Sequence, residues 1–410
     1  MSPIGKFSRQ VGLIPRYNWD FGLREVGLGV LGILKNGRTE SHTLRQEFGE
    51  DLVLTGSGRA SLFALLKALK LPAGAEVGVP LFCCPVVFDA ITQARCRPRF
   101  IDIDIEDFNL SAADLKRKAV SLSAVVAVHM FGHPADLPSI TSACNVPVLE
   151  DCAQALFSKF QGKETGQGAA ASFFSFRSGK YLSVGEASII LCRDPELKAA
   201  IKLAVKEFEV PGAFEQLRHC LATGVKSALY HRPWYGMVSY PIGRRLDKKL
   251  NLTAKDGFKR RSIRGCDLAV LERQLGGFRA KVERQRANAQ YLLGNLKLKH
   301  ATLPVERPGC RSNYYQFALR FEGPEQRDFA AAHLKRCGID AAKYLDEVVE
   351  VAKSRFRYAG DCPNAERCSK TTLVVPHYYT LSPGSLERVA RALNEADRIL
   401  ERRKSRGCEV

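Results

Sequence analysis

"DLVLTGSGRASLFALLKALKLPAGAEVGVPL", residues 51–81, sets two short apolar runs on either side of a longer helical pattern. "DLVLTG" reads as a strand, "RASLFALLKALKL" repeats its apolar residues at helical intervals, and "EVGVPL" reads as a second strand. A strand, a helix and a strand in that order make a crossover unit, whose strands run parallel. The alternation continues outward. "VVFDAITQA" reads as a helix, "RPRFIDID" as a strand, "SAADLKRKAV" as a helix and "SAVVAVHMF" as a strand. "PSITSACN" then reads as a helix and "VPVLEDCA" as a strand, and residues 172–176, "SFFSF", alternate as a half-buried strand does. From about residue 50 to 195 the chain therefore predicts an α/β fold with a mostly parallel central sheet covered on both faces. Ligands in such sheets sit at the carboxyl ends of the strands.

The rhythm is lost over 201–260, an excursion containing the aromatic, proline-punctuated "YHRPWYGMVSYPIG". Beyond it, "DLAVLERQLGGFRAKVERQRANAQYLLGNL" is a long amphipathic helical pattern interrupted at Gly276-Gly277. A strand, "YYQFALRF", and a helix, "PEQRDFAAAHLKRCG", follow, the pattern of a smaller α+β lobe. These features predict a large domain over 1–250, with an N-terminal arm and the excursion, and a small C-terminal domain over 251–410.

Among the 410 residues, 45% are hydrophobic and 26% charged, the balance of a globular protein. No apolar run approaches the roughly 20 residues of a membrane span. "MSPIGKFSRQ" lacks the basic-then-apolar layout of an export signal, which predicts a cytoplasmic location. The 13 cysteines show neither CxxC pairs nor Cys/His ligand spacing, so they read as reduced, mostly buried side chains and predict no metal site. The net charge of +19 is concentrated: residues 201–300 hold 21 Lys/Arg against 8 Asp/Glu, densest in "GRRLDKKLNLTAKDGFKRRSIR" at 243–264. Such a cluster suits anions, whether phosphorylated substrates or an acidic membrane surface, with peripheral membrane contact through 231–264 as one reading and a solvated basic face as another. No nucleic-acid module accompanies the charge.

"GLGVLG" at 27–32 has the spacing of a dinucleotide fingerprint, but no strand precedes it and "KNG" ends the run before a full helix could form. It reads as a glycine-rich packing or turn segment. Three other stretches carry chemistry. In "LTGSGRAS" the turn Ser57-Gly58-Arg59-Ala60 brings free backbone N–H groups to a helix start, a site for a phosphate, with Arg59 as an added charge. An ordinary strand-to-helix turn capped by Ser57 would look the same. "VPVLEDCAQA" ends a strand on Glu150-Asp151, with Gln154 one turn on; Asp151 could hold a protonated ring nitrogen or merely cap a helix. "SFFSFRSGKYLSVGEAS", 172–188, places Ser175 and Lys180 around a constrained turn, where partial desolvation would lower the amine's pKa. A phosphate cradle, an acid at a strand end and a lysine in a tight turn together suit pyridoxal phosphate.

The order and spacing of "GSGRASL", "VPLFCCPVVFDAI", "RPRFIDIDIEDFNL", "VHMFGHPAD", "LEDCAQA", "FFSFRSGKYLSVGEAS" and "LKRCGID" resemble the DegT/DnrJ/EryC1/StrS family of fold type I pyridoxal-phosphate sugar aminotransferases. The resemblance covers 44–200 closely and 260–395 more loosely. It implies Lys180 as the Schiff-base lysine, Asp151 as partner of the pyridine nitrogen, and Gln154 on the ring hydroxyl side. Ser175 with the Gly58-Arg59-Ala60 backbone would bind phosphate. His129 falls on the family's "VH" position, as cofactor support or as a core histidine. Four departures stand out: Arg59 where a threonine is usual, Cys84 where a ring-stacking aromatic is expected, Ser262-Ile263-Arg264 for the Asn-x-Arg that reaches the partner subunit's phosphate, and Ala187-Ser188 for a double glycine. The resemblance implies a homodimer, an amino donor such as glutamate, and a nucleotide-linked keto sugar as acceptor, in cell-surface polysaccharide or secondary-metabolite synthesis. The rival reading is a non-catalytic or differently reacting pyridoxal-phosphate-binding homologue acting as a sensor or pathway partner.

Overall fold

The computed structural model describes residues 11–35, 41–243 and 258–405. Its main sheet has seven strands: β1 Leu52–Thr55, β2 Glu76–Pro80, β3 Arg97–Ile101, β4 Leu122–Val128, β5 Val148–Asp151, β6 Ala171–Ser175 and β7 Ser188–Cys192. They lie in the order β1-β7-β6-β5-β4-β2-β3. Only β7 runs against the others, pairing antiparallel with both β6 and β1. The predicted α/β class with a mostly parallel sheet holds. β4, central and parallel to both neighbours, is buried at six of its seven positions, which is why it reads as an unbroken apolar run.

A second sheet lies in the C-terminal part of the chain. Its strands β8 Ala301–Thr302, β9 Phe317–Phe321, β10 Ala342–Lys343 and β11 Thr372–Val375 run antiparallel in the order β8-β9-β11-β10. Phe317, Leu319 and Val375 of this sheet share a core with Leu334 and Leu393 of the helices that cover it. This is the smaller α+β lobe read from the sequence.

Helices follow the alternation: α1 Leu23–Leu34, α2 Gly58–Ala68, α3 Val86–Gln93, α4 Ala213–Leu229, α5 Gly265–Leu275, α6 Phe278–Asn295 and α7 Pro383–Ser405, besides shorter ones. The long pattern at 267–296 does break at the glycine pair, where Gly277 takes a left-handed φ of 91° between α5 and α6. Among the described residues, all cysteines are unpaired thiols. No helix there is long and apolar enough to cross a membrane. The core of the basic stretch, residues 244–257, lies outside the described residues.

One element departs from expectation. "GLGVLG" lies inside a twelve-residue helix, α1, rather than ending short of one. Its glycines lower helix propensity, but they let two neighbouring helices come close. A Cβ on Gly29 would stand 2.5 Å from Cys220 Sγ of α4, and one on Gly32 only 2.4 Å from the Gly265 carbonyl of α5. Tertiary contact decides the conformation where local propensity does not. Ala is the better helix former by about 1 kcal/mol, yet Gly32→Ala pushes against backbone and is expected to cost ~1–3 kcal/mol net in denaturant unfolding. A stabilised variant would refute the close-packing account.

Candidate active site

The parallel strands bring their carboxyl ends to one edge, and a cavity of about 340 Å³ opens there. β1 leads to Ser57-Gly58-Arg59, β2 to Cys83-Cys84, β5 to Asp151, and β6 to Ser175 and the turn carrying Lys180. Gly58, Arg59, Cys84, Asp151, Gln154, Ser175 and Lys180 all line the cavity. Ala60 does not. Ser57 is the N-cap of α2, and its Oγ accepts the Ala60 N–H at 3.2 Å, leaving the Gly58 and Arg59 amides as the first-turn donors. His129 is also away from the wall. Its Nδ1 accepts the Ala135 N–H at 2.9 Å, so its Nε2–H points to Glu150, 3.1 Å away. Glu150 also accepts three backbone N–H groups, from Gly166, Gly168 and Ala169. His129 and Glu150 thus hold the floor beneath Asp151.

The turn before Lys180 forms because Gly179 supplies a φ of 85° and Lys180 N–H returns to the Arg177 carbonyl at 2.9 Å. The Tyr315 hydroxyl donates to the Gly179 carbonyl at 2.9 Å, and Lys180 Nζ lies 5.6 Å from the centre of the Tyr315 ring. Burial pulls the Lys180 ammonium below its ordinary value of 10.5, and Asp151 only partly restores it. Burial likewise pushes the Asp151 carboxyl up, opposed by Lys180 and by the Ala153 N–H. The two line one cavity. A buried acid whose carboxylate has no cation in contact, and an amine with no hydrogen-bond acceptor among the described residues, leave room between them for a group that pairs with both.

Pyridoxal phosphate fits these residues. A Cβ on Gly58 would lie 3.1 Å from Ser175 Cβ, so a side chain there would crowd Ser175. The Ser175 hydroxyl has no partner among the described residues, and the Gly58 and Arg59 amides point from the positive end of α2. Asp151 can take a protonated ring nitrogen. Gln154 offers its Nε2, 3.5 Å from the Tyr344 hydroxyl, because its Oε1 already accepts the Phe131 N–H.

The departures have local explanations. Arg264 is buried at 2% exposure and bound within its own chain, to Glu186 at 3.1 Å and Asp267 at 3.4 Å. It is not free to reach another subunit. Arg59 instead faces the cavity, with Glu186 4.0 Å away and its guanidinium over the Phe258 ring. Ser188 joins Ser61 and Thr55 in a row of hydroxyls, 2.7 Å at each step, that ties β7 to α2 and β1. Cys84 presents a thiol. The cavity's aromatic surface comes from residues that sequence reasoning did not single out: Tyr17, Trp19, Tyr230, Tyr315 and Tyr344. Tyr17, Trp19 and Tyr315 signalled themselves only by aromatic clustering in "RYNWDF" and "NYYQF", Tyr230 opens the aromatic stretch "YHRPWYGMVSYPIG", and Tyr344 stands in no such cluster.

Residues 44–394 match the model of the DegT/DnrJ/EryC1/StrS aminotransferase family. The chain belongs to that family. It is an aminotransferase, as the motifs led us to expect. It is 28% identical to the dTDP-4-dehydro-2,3,6-trideoxy-D-glucose 4-aminotransferase of Saccharopolyspora spinosa, over 85% of this chain and 84% of that one. It is 29% identical to the GDP-perosamine synthase of Escherichia coli O157:H7, over 45% of this chain and 47% of that protein. The fold is that of the aminotransferase TlmJ from Streptoalloteichus hindustanus, with a TM-score of 0.75 at 24% identity over 95% of this chain and 100% of that one.

Two outcomes test the electrostatics. In cofactor-free protein, amine labelling of Lys180 should rise with pH through a midpoint below 10.5. Asp151→Asn removes the charge that favours the ammonium, so its midpoint should fall further; peptide mass spectrometry after trinitrobenzenesulfonate treatment reads this, and an upward shift would contradict it. Arg264→Ala leaves Asp267 buried without its cation and is expected to cost about 3 kcal/mol in chemical denaturation.

Proposed function

We propose that the protein transfers an amino group, with glutamate as donor, to a keto sugar carried on a nucleotide diphosphate, using pyridoxal phosphate bound in the cavity at the strand ends. The observation that carries this reading is the half-buried Lys180 and the buried Asp151, which line one cavity beside the glycine turn and Ser175. The relatives support the acceptor class, since those quoted above are named for GDP- and dTDP-linked sugars. Cell-surface polysaccharide or secondary-metabolite synthesis in the cytoplasm is the matching setting, with a homodimer as the working assembly.

Gly58, Arg59 and Ser175 hold the phosphate, Asp151 the ring nitrogen and Gln154 the ring hydroxyl. When bound, the cofactor supplies an aldehyde for the amine and a ring that acidifies the carbon bearing the amino group. Lys180 Nζ, whose pKa burial lowers, would accept the proton from the donor's α carbon and deliver it two atoms away, on the carbon that the cofactor's aldehyde supplied. It does the reverse with the acceptor. Tyr17, Trp19 and Tyr344 line the cavity with aromatic surface.

Purified protein should carry the cofactor's yellow colour, which Lys180→Ala removes and glutamate bleaches. Turnover with a nucleotide-linked keto sugar should fall about a thousandfold in Lys180→Ala. Arg59→Ala should weaken cofactor affinity about tenfold, the loss of one charge-assisted contact. A colourless protein that takes up no added cofactor would sink the proposal, and colour without bleaching by any amino donor would point to another reaction.

A further inference from the structure

Helix α4 is amphipathic the wrong way round for a helix that only serves the core. Its buried positions are Cys220, Thr223 and Ser227, small or polar side chains set against the arm and α1. Its large apolar residues point outward: Phe214 is 80% exposed, Leu217 38%, Leu221 48% and Val225 61%. At 100° per residue these four fall within an arc of roughly 80°, a single stripe along the helix. The exposed side continues past the helix end in Trp234, Met237 and Ile242, all more than two-fifths exposed. A contiguous stripe of this kind marks a surface that something covers.

The charges beside the stripe identify the cover. The only acidic residue of α4, Glu215, is turned inward, its carboxylate 2.9 Å from Arg261. The charged side chains left outside are basic: Arg218 and Lys226 on the helix, and Arg232 after it. A second copy meeting this face about a two-fold axis would set one basic patch against another, since such an interface pairs a patch with its own image. An anionic bilayer supplies the missing complement, and its acyl boundary takes the apolar stripe. Trp234 has the position and chemistry of an interfacial anchor. No helix among the described residues is suited to span the membrane, so the contact lies in its plane.

We infer that the face formed by α4 and residues 230–242 docks the enzyme peripherally on membranes rich in anionic lipid. The inference is independent of the cavity's chemistry and stands or falls without it. The cofactor-loaded full chain should co-sediment with phosphatidylcholine vesicles containing about a third phosphatidylglycerol, and should release as salt is raised. Pure phosphatidylcholine should hold it at least tenfold more weakly. Leu221→Glu/Val225→Glu should reduce binding to anionic vesicles tenfold or more with an unchanged melting temperature, as both side chains are exposed. Arg218→Gln/Lys226→Gln should reduce it severalfold and flatten the salt dependence. In Trp19→Phe, which leaves Trp234 as the only tryptophan, emission should shift to the blue on vesicle addition. Absent sedimentation with anionic vesicles, or sedimentation that survives Leu221→Glu/Val225→Glu, overturns the proposal. So does a dimer that this double variant splits by light scattering while vesicle binding stays as it was, which would give the face to a second copy.

Discussion

Everything at the strand ends is arranged around two groups of opposite charge that are buried together and kept from touching. A carboxylate and an ammonium in contact would neutralise each other and be chemically inert. Separated by a cavity, each only partly offsets the cost of its neighbour's burial, so the ammonium is held below its ordinary pKa and the carboxyl above it. Keeping them apart requires rigidity on both sides. Asp151 is fixed by a parallel strand and by the His129–Glu150 pair below it, while Lys180 is fixed by a left-handed glycine and by Tyr315. The sheet supplies the rigidity, and the crossover connections place all the relevant turns on one side of it.

The phosphate end of the cavity rests on a different economy of charge. Glu186 sits between two arginines, close to Arg264 and at the limit of contact with Arg59. Arg264 is committed to the interior along with Asp267 and His219. Arg59 is therefore the cation of this network that remains available to the cavity.

The fold was legible because each strand and helix from 50 to 195 carries its own period and is bounded by its own turn residues. Lys180, Asp151, Gln154 and Ser175 could be placed at the cavity because their position at strand ends follows from that alternation. Other members could not be read locally. Tyr17 and Trp19 arrive from an arm, and Tyr315 and Tyr344 from the other lobe, through contacts that no window of sequence contains. Ala60 looked like a phosphate donor until Ser57 claimed its amide. The helix at 23–34 was hidden because its glycines argue against a helix in isolation and for one only beside α4 and α5.

The arm has a further consequence, for the order in which the molecule is completed. Arg16 is held by Asp340 at 2.6 Å, Asp20 by Lys281 at 2.6 Å and by the Tyr379 hydroxyl at 2.9 Å, and Trp19 stacks on Tyr230. Two of these anchors, Asp340 and Tyr379, lie 324 and 359 residues from their partners in the arm, so the arm is not fully seated until the C-terminal lobe has folded. Contacts of such long range are formed late, after the loops they close have been ordered. The enzyme builds its catalytic floor early and its aromatic cover last, so a ribosome-bound or truncated chain would hold an open, wet site.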